Sequence, residues 1–391
     1  MVKKYQKTHP WIDFSLDTRR ANIRTWMLLG EAQSKCFHIA SALLDPKIAE
    51  ELHGVYLAKG ALATTAIEGN TLSEEQVRQH LNGTLTLPES KSYLQTEVDN
   101  IIRACNDIAG SHRDGASVQL SVEEIQNYNT RVLAGLPLKE EVKPGLLRLH
   151  SVGVGGYQGA PAEDCLYLLE KMCAMINGDF SLGARWGIAS GILKAVLAHL
   201  YIAWIHPFGD GNGRTARLVE FKLCIASGVP FPAAQLLSNH YNETRSKYYI
   251  KLDETSKRRD PFIFIDYALQ GYVDQLGEQI KLIRQSQDAA FWTNFVHTRF
   301  KGMDTAVDRR RRHFLLDLSE KTLPSYNFTP LADLASVSLR TVKAYAVKSQ
   351  RVLMRDVNEL IKMGLLERVG NGVRPNLALL SAYLPARVDN K

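Results

Sequence analysis

Apolar residues recur at helical spacing along most of this chain. From about Ala21 to Leu44, the residues Ile23, Trp26, Leu29, Ala32, Cys36, Ile39 and Leu43 mark one helical face. The same periodicity predicts helices over about 46–68, 90–108, from Ser121 onward, and over 162–178, 236–252 and 261–280. Ile188 to Ile205 is apolar on nearly every face, which predicts a helix buried on all sides. Leu218, Val219, Phe221, Leu223, Cys224 and Ile225 continue at helical density until Gly228 and Pro230 stop them. Residues 1–20, with His9-Pro10-Trp11, break the pattern and read as an extended arm. His112-Arg113-Asp114-Gly115 reads as a loop, and Val152-Gly153-Val154-Gly155-Gly156-Tyr157 as a short Gly-rich hairpin.

The last third has a pattern of its own. Thr329-Pro330 offers an N-cap and first-turn proline for a helix over 331–335, Ser336-Val337 a tight turn, and Ser338 a cap for a helix starting at Leu339. Asn371-Gly372 between two short β-like runs predicts a hairpin. The order looks like a winged helix-turn-helix, with Arg340, Lys343 and Lys348 on the recognition helix and Arg368 and Arg374 on the wing. Thr341 to Met363 is long for one such helix, and a break near Ser349-Gln350 would make it two. Arg309-Arg310-Arg311-Arg312 reads as a solvated helix face. Such a module can bind DNA or dock a protein.

Charge is distributed accordingly. The net charge is +7, yet residues 281–391 hold 19 Lys and Arg against 10 Asp and Glu, so the first 280 residues are slightly acidic. With 45% hydrophobic and 23% charged residues over 391 positions, the chain reads as a soluble globular protein of two or three domains. The basic start Met1-Val2-Lys3-Lys4-Tyr5 has no apolar run behind it, so no signal peptide is expected. Nor is a membrane span, because no uncharged apolar segment approaches roughly 20 residues. Cys36, Cys105, Cys165, Cys173 and Cys224 form no C-x-x-C and are expected as buried thiols in a reducing cytoplasm.

Between two core helices lies His206-Pro207-Phe208-Gly209-Asp210-Gly211-Asn212-Gly213-Arg214-Thr215-Ala216-Arg217. Gly211 and Gly213 are read as positive-φ positions that turn backbone amides toward a ligand. A helix N-terminus follows at once and favours an anion. Arg214 and Arg217, three apart, can grip phosphate oxygens on one face. Asp210 supplies a hard oxygen for Mg²⁺, His206 a general base, and Phe208 an anchor in the core. There is no G-x-x-x-x-G-K-[S/T], and an EF-hand register from Asp210 fails at Thr215 and Phe221. The sum is phosphoryl or nucleotidyl chemistry. Farther upstream, Glu68 stands in the last turn of a helix, where the dipole disfavours an anion, with Gly69-Asn70 as a left-handed stop. It is either a solvated helix-end acid or an acid with a distant partner. Thr71-x-x-Glu74, Ser73-x-x-Gln76 and Ser121-x-x-Glu124 offer capping boxes.

The dodecapeptide resembles the signature of Fic-domain proteins, His-x-Phe-x-Asp/Glu-Gly-Asn-Gly-Arg-x-x-Arg, at every fixed position, and Thr64-x-x-x-Glu68-Gly69 resembles the family's inhibitory motif. The resemblance covers about residues 55–270. It implies a mainly α fold, a helical core with a β-hairpin flap, joined here to the winged module. The implied domains are 1–115 (N-terminal helices with the inhibitory motif), 116–280 (catalytic core), 281–320 (helical linker) and 321–391 (winged helix-turn-helix). It implies a protein adenylyltransferase moving AMP from ATP to a Ser, Thr or Tyr hydroxyl of a target protein or of itself. In that scheme His206 is the base and Gly211, Asn212, Gly213, Arg214 and Arg217 hold the nucleotide. Asp210 holds Mg²⁺, Val152, Val154 and Tyr157 form the flap that registers the target, and Glu68 inhibits by pairing with Arg217. Thr244-Arg245 stands where an Asn-Arg pair is common, so no base contact is assigned. The alternatives are removal of AMP at the same site and a nucleotide-sensing DNA-binding regulator. A homodimer is compatible with the resemblance; a membrane partner is not expected.

Overall fold

The computed structural model describes residues 3–44, 46–113, 119–154, 156–178, 182, 184–323 and 327–380. Asp114 and Gly115 of the expected loop, and Gly155 of the expected hairpin, lie outside them. The chain divides into two compact units, 1–280 and 281–391.

In the first unit the helices run α1 (Tyr5–Thr8), α2 (Ile23–Ala40), α3 (Pro46–Ala66), α4 (Glu74–Leu81), α5 (Ser92–Arg113) and α6 (Val122–Leu133). The antiparallel hairpin β1 (Gly153–Val154) and β2 (Tyr157–Gln158) follows, pairing Gly153 with Gln158 and Val154 with Tyr157. Then come α7 (Cys165–Asn177), α8 (Gly187–Ile205), α9 (Asn212–Ala226), α10 (Phe231–Ala234), α11 (Leu236–Glu243), α12 (Arg245–Arg258) and α13 (Phe262–Arg299). A break at Thr244 splits the single helix expected over 236–252, and α13 runs well past Ile280.

The all-round apolarity of α8 makes it the hub, with α2, α7 and α9 packed on it. By length and mean hydropathy it reaches the composition of a membrane span, contrary to expectation, but 89% of it is buried in the protein interior. A second layer, α3, α5 and α6, closes over α9. The boundary expected between residues 115 and 116 is therefore no division between units, because α5 and α6 pack on each other and on α9. The N-terminal arm is folded rather than extended. Tyr5, His9 and Ile12 are buried, the Tyr5 N–H donates to Asp164, and a ring nitrogen of His9 meets the Gln158 carbonyl at 2.8 Å. Local capping chemistry explains two helix starts. Ser73 and Gln76 form the full box, whereas Ser121 caps α6 and Glu124 instead accepts from the Tyr128 hydroxyl and pairs with Lys222. All five cysteines are free and buried.

The second unit contains the rest of α13, α14 (Ala306–Thr322), β3 (Thr329–Pro330), α15 (Leu339–Tyr345), α16 (Gln350–Lys362), β4 (Leu366–Val369) and β5 (Gly372–Pro375), with β5 central in an antiparallel sheet. Thr329-Pro330 is a strand, not a helix start, because Pro330 is extended and pairs with Gly372; a 3₁₀ turn over Leu331–Ser336 follows. Ser338 caps α15, and the long stretch to Met363 is broken ahead of Gln350. The linker expected over 281–320 is instead part of this unit's core. Trp292, Val296, Phe300, Phe314 and Leu318 pack with Leu334, Val357 and Leu360. The four arginines are not all a solvated face either. Arg310 and Arg311 both donate to Asp356, which is fully buried and also accepts from the Tyr345 hydroxyl.

Candidate active site

The loop between α8 and α9 is held in place by residues that touch no ligand. His206 ends α8 in the left-handed region (φ 51°, ψ 58°), with its N–H still bonded to the Ile202 carbonyl. A non-glycine there costs about 1–3 kcal/mol and persists only where its surroundings over-determine it. Arg148 does much of that. Its buried guanidinium donates to the carbonyls of His206 (2.6 Å), His150 (2.7 Å), Ala160 and Ile205, and its own N–H donates to Pro207. Asn129, also buried, donates to the Asp210 carbonyl (2.9 Å) and accepts from Gly145. The Asn212 side chain braces the loop, which leaves only its backbone N–H at the start of α9 for the expected nucleotide contact. The side-chain amide brackets Phe208, accepting from the Phe208 N–H and donating to the Phe208 carbonyl at 2.9 Å each. Gly211 takes φ 74°. Gly213, by contrast, lies in ordinary helical backbone and is needed for close approach: a Cβ there would come within 2.1 Å of Glu68 Oε1.

That carboxylate is the second half of the site. The end of α3 brings Glu68 to Arg217, whose Nη2 donates to Glu68 Oε1 at 2.6 Å and to the Thr64 carbonyl at 2.9 Å. The Arg217 side chain is 1% exposed and Glu68 is 31% exposed. Burial pushes the Glu68 carboxyl up, but Arg217 outweighs it and the net shift is downward, so the acid is ionised at neutral pH. Nε and Nη1 of Arg217, and Nε of Arg214, are buried donors without a partner. Unmade hydrogen bonds on buried guanidinium groups beside a helix N-terminus define an anion position. Arg214 is itself engaged, donating to Glu97 of α5 at 2.8 Å and to Asp210 at 3.4 Å. The other oxygen of Glu97 accepts from Asn70, two residues beyond Glu68.

Burial holds His206 neutral, moving its pKa down to about 4, with Arg148 adding to the effect; a hydrogen bond to the Ala203 carbonyl and the charges of Glu68 and Asp210 oppose it. Gly159 lets the chain after the hairpin lie against the imidazole, since a Cβ there would meet His206 at 2.9 Å and Arg148 at 3.0 Å. The hairpin itself is formed as expected. Val152 is half-buried and its carbonyl accepts from Gly159, and Val154 is described by its backbone alone. Tyr157 does not face outward as a target contact: its hydroxyl donates to the Trp204 carbonyl and its ring lies against His9 and Trp11.

Asp210 is half exposed, and its Oδ1 takes the Gly211 N–H and Arg214. Among the described residues no group of three or more His, Cys, Asp or Glu surrounds it. One open carboxylate fits Mg²⁺ where the nucleotide's phosphates and water complete the shell, and does not fit a metal held by protein alone.

The arrangement is thus a neutral imidazole, a partly guarded pair of guanidinium groups and an open carboxylate around one helix N-terminus. It suits an anion such as a phosphate. Residues 119–224 match the Fic/DOC family model, so this stretch of the chain carries a Fic domain. It is 32% identical over 191 residues to the protein adenylyltransferase fic-1 of Caenorhabditis briggsae, covering 48% of this chain and 34% of that one. It is 27% identical over 292 residues to the protein adenylyltransferase Fic of Drosophila willistoni, covering 71% and 51%. The chain spans between a third and about half the length of these curated relatives. Among solved structures, a Fic family protein from Desulfovibrio desulfuricans G20 matches with TM-score 0.55 at 16% identity, over 94% of this chain and 95% of that one. Fic-1 of Caenorhabditis elegans matches with TM-score 0.53 at 23% identity, over 67% and 73%. These likenesses establish the fold.

Proposed function

We propose that this chain is a protein adenylyltransferase held back by its own Glu68. The observation that carries the reading is the Glu68–Arg217 contact laid across Gly213, beside buried guanidinium donors that have no other partner. ATP is the substrate. Its β- and γ-phosphates take the N-terminus of α9 with Arg214 and Arg217, and positioning and charge stabilisation lower the barrier. Asp210 is the residue that would hold Mg²⁺, which neutralises phosphate charge when bound. His206 accepts the proton of a target Ser, Thr or Tyr hydroxyl. The hydroxyl oxygen bonds to the α-phosphorus, the bond from that phosphorus to the bridging oxygen breaks, and pyrophosphate leaves. Glu68 opposes this by occupying the guanidinium that the outer phosphate needs.

Labelling by ATP radioactive at the α-phosphate tests the reading. Glu68→Gly is expected to raise incorporation into the protein itself or into a lysate at least tenfold. His206→Ala in that background is expected to abolish it while ATP still binds. Equal labelling with and without Glu68, or transfer that survives loss of His206, would overturn it.

A further inference from the structure

The second unit carries a built cationic face that the adenylyl-transfer chemistry does not use. It lies on α16, not on α15 where the sequence placed the recognition residues. Leu353, Asp356, Val357 and Leu360 turn the inner side of α16 into the core. Arg351, Arg355, Asn358 and Lys362 are all exposed, and their spacing of four, three and four residues stacks them in one stripe about 16 Å long. They line one open groove together with Met354, Glu359 and Ile361. Arg368 on β4 extends the stripe and is tied to it, donating to Asn358 at 3.0 Å. Among the described residues, Arg351, Arg355 and Lys362 make no ion pair, whereas four other arginines of this unit are engaged: Arg310 and Arg311 by Asp356, Arg340 by Asp317 and Arg374 by Glu367. On α15 the outward residues include Leu339 (72% exposed) and Val342 (43% exposed), a poor match for a polyanion.

We propose that this face binds duplex DNA. The α16 helix would enter the major groove and the β4–β5 hairpin would lie beside it on the backbone, so that the unit works as a winged helix. The B-form major groove, about 12 Å wide, admits a helix with its side chains. The stripe's residue types suit it, with Arg and Lys for phosphates and guanine edges and Asn for adenine. A-form RNA is a worse fit, because its major groove is too narrow to be entered. Single strands are worse too, because the groove is lined by aliphatic and polar side chains and offers no ring on which bases could stack. The surplus of positive charge over 281–391 supplies the long-range attraction.

The test uses the full chain and a labelled random-sequence duplex of about three helical turns, read by fluorescence anisotropy. Binding is expected at low salt, weakening about forty-fold between 50 and 200 mM salt if three phosphates are contacted. Arg351→Ala/Arg355→Ala/Lys362→Ala is expected to weaken binding at least tenfold and flatten the salt dependence. Lys343→Ala/Lys348→Ala on and beyond α15 is expected to leave both unchanged. The same melting temperature in both variants would show that they are folded, and Gln replacements at the three positions should reproduce the loss. A flat titration at low salt, full affinity in the triple variant, or a loss confined to the Lys343/Lys348 pair would overturn the proposal. So would equal binding of polyuridine or polyglutamate, which would mark the face as a general polyanion or protein contact.

Discussion

His206 combines a left-handed backbone with a ring whose pKa burial lowers to about 4, which suits a base that must be unprotonated before substrate arrives. Phosphates seated beside it add negative charge and favour the imidazolium, so the bound state should titrate higher than the free one. In the Glu68→Gly enzyme, which lacks the carboxylate that raises the His206 pKa, the acid limb of kcat/KM is expected at or below about pH 4 and that of kcat distinctly above it. Coincident limbs in pH–rate profiles would show that the phosphates do not lie against this ring. Asn212 makes a contrasting prediction. Asn212→Ala strands the N–H and carbonyl of buried Phe208, at about 1–3 kcal/mol. Thermal stability and kcat should therefore fall together, with little change in ATP binding.

Among the elements, the turn that follows α3 sets the state of both arginines. It delivers Glu68 to Arg217 and, through Asn70 and Glu97, steadies Arg214. Asn70 also fixes the turn itself, donating to the Leu94 carbonyl and accepting from the Leu72 N–H. Asn70→Ala is expected to raise basal labelling above wild type but less than Glu68→Gly does, and labelling at or below wild type would count against this coupling. The loop from His206 to Arg217 was legible because its chemistry is compressed into twelve consecutive residues. Glu68 was legible because an acid at a helix end breaks a local rule. Arg148, Glu97 and Asn129 left no such mark. Their partners lie 58, 117 and 81 positions away, and nothing in their own neighbourhoods distinguishes them from surface polar residues. The bracing role of the Asn212 side chain was not legible for the opposite reason: a short polar residue beside two glycines fits a ligand contact as well as a turn brace. In the second unit, Ser349 marked the break between the two helices. The exposed side of α16 was settled only when packing showed which residues face inward.

For the molecule as a whole, two features should govern stability. In the second unit, Asp356→Ala removes the shared partner of Arg310 and Arg311 and is expected to destabilise by about 3–5 kcal/mol. Trp292, the lone tryptophan of residues 281–391, reports that unit's unfolding by its fluorescence. In the first unit, burial lowers the pKa of both His206 and His240 to about 4. Unfolded, each takes up a proton near pH 6.5, so their contribution to stability should be steady above that pH and fall as pH drops toward 4, with at least these two protons bound on unfolding. Calorimetry in buffers of different ionisation enthalpy measures that uptake. The pairing of Glu68 with Arg217 has one more consequence, because both belong to one chain. The carboxylate is presented at a fixed effective concentration that no dilution can lower, so the restraint proposed for it should be the same whether the protein is scarce or abundant. Relief must then come from an excess of nucleotide or from a force on α3, and never from a drop in copy number.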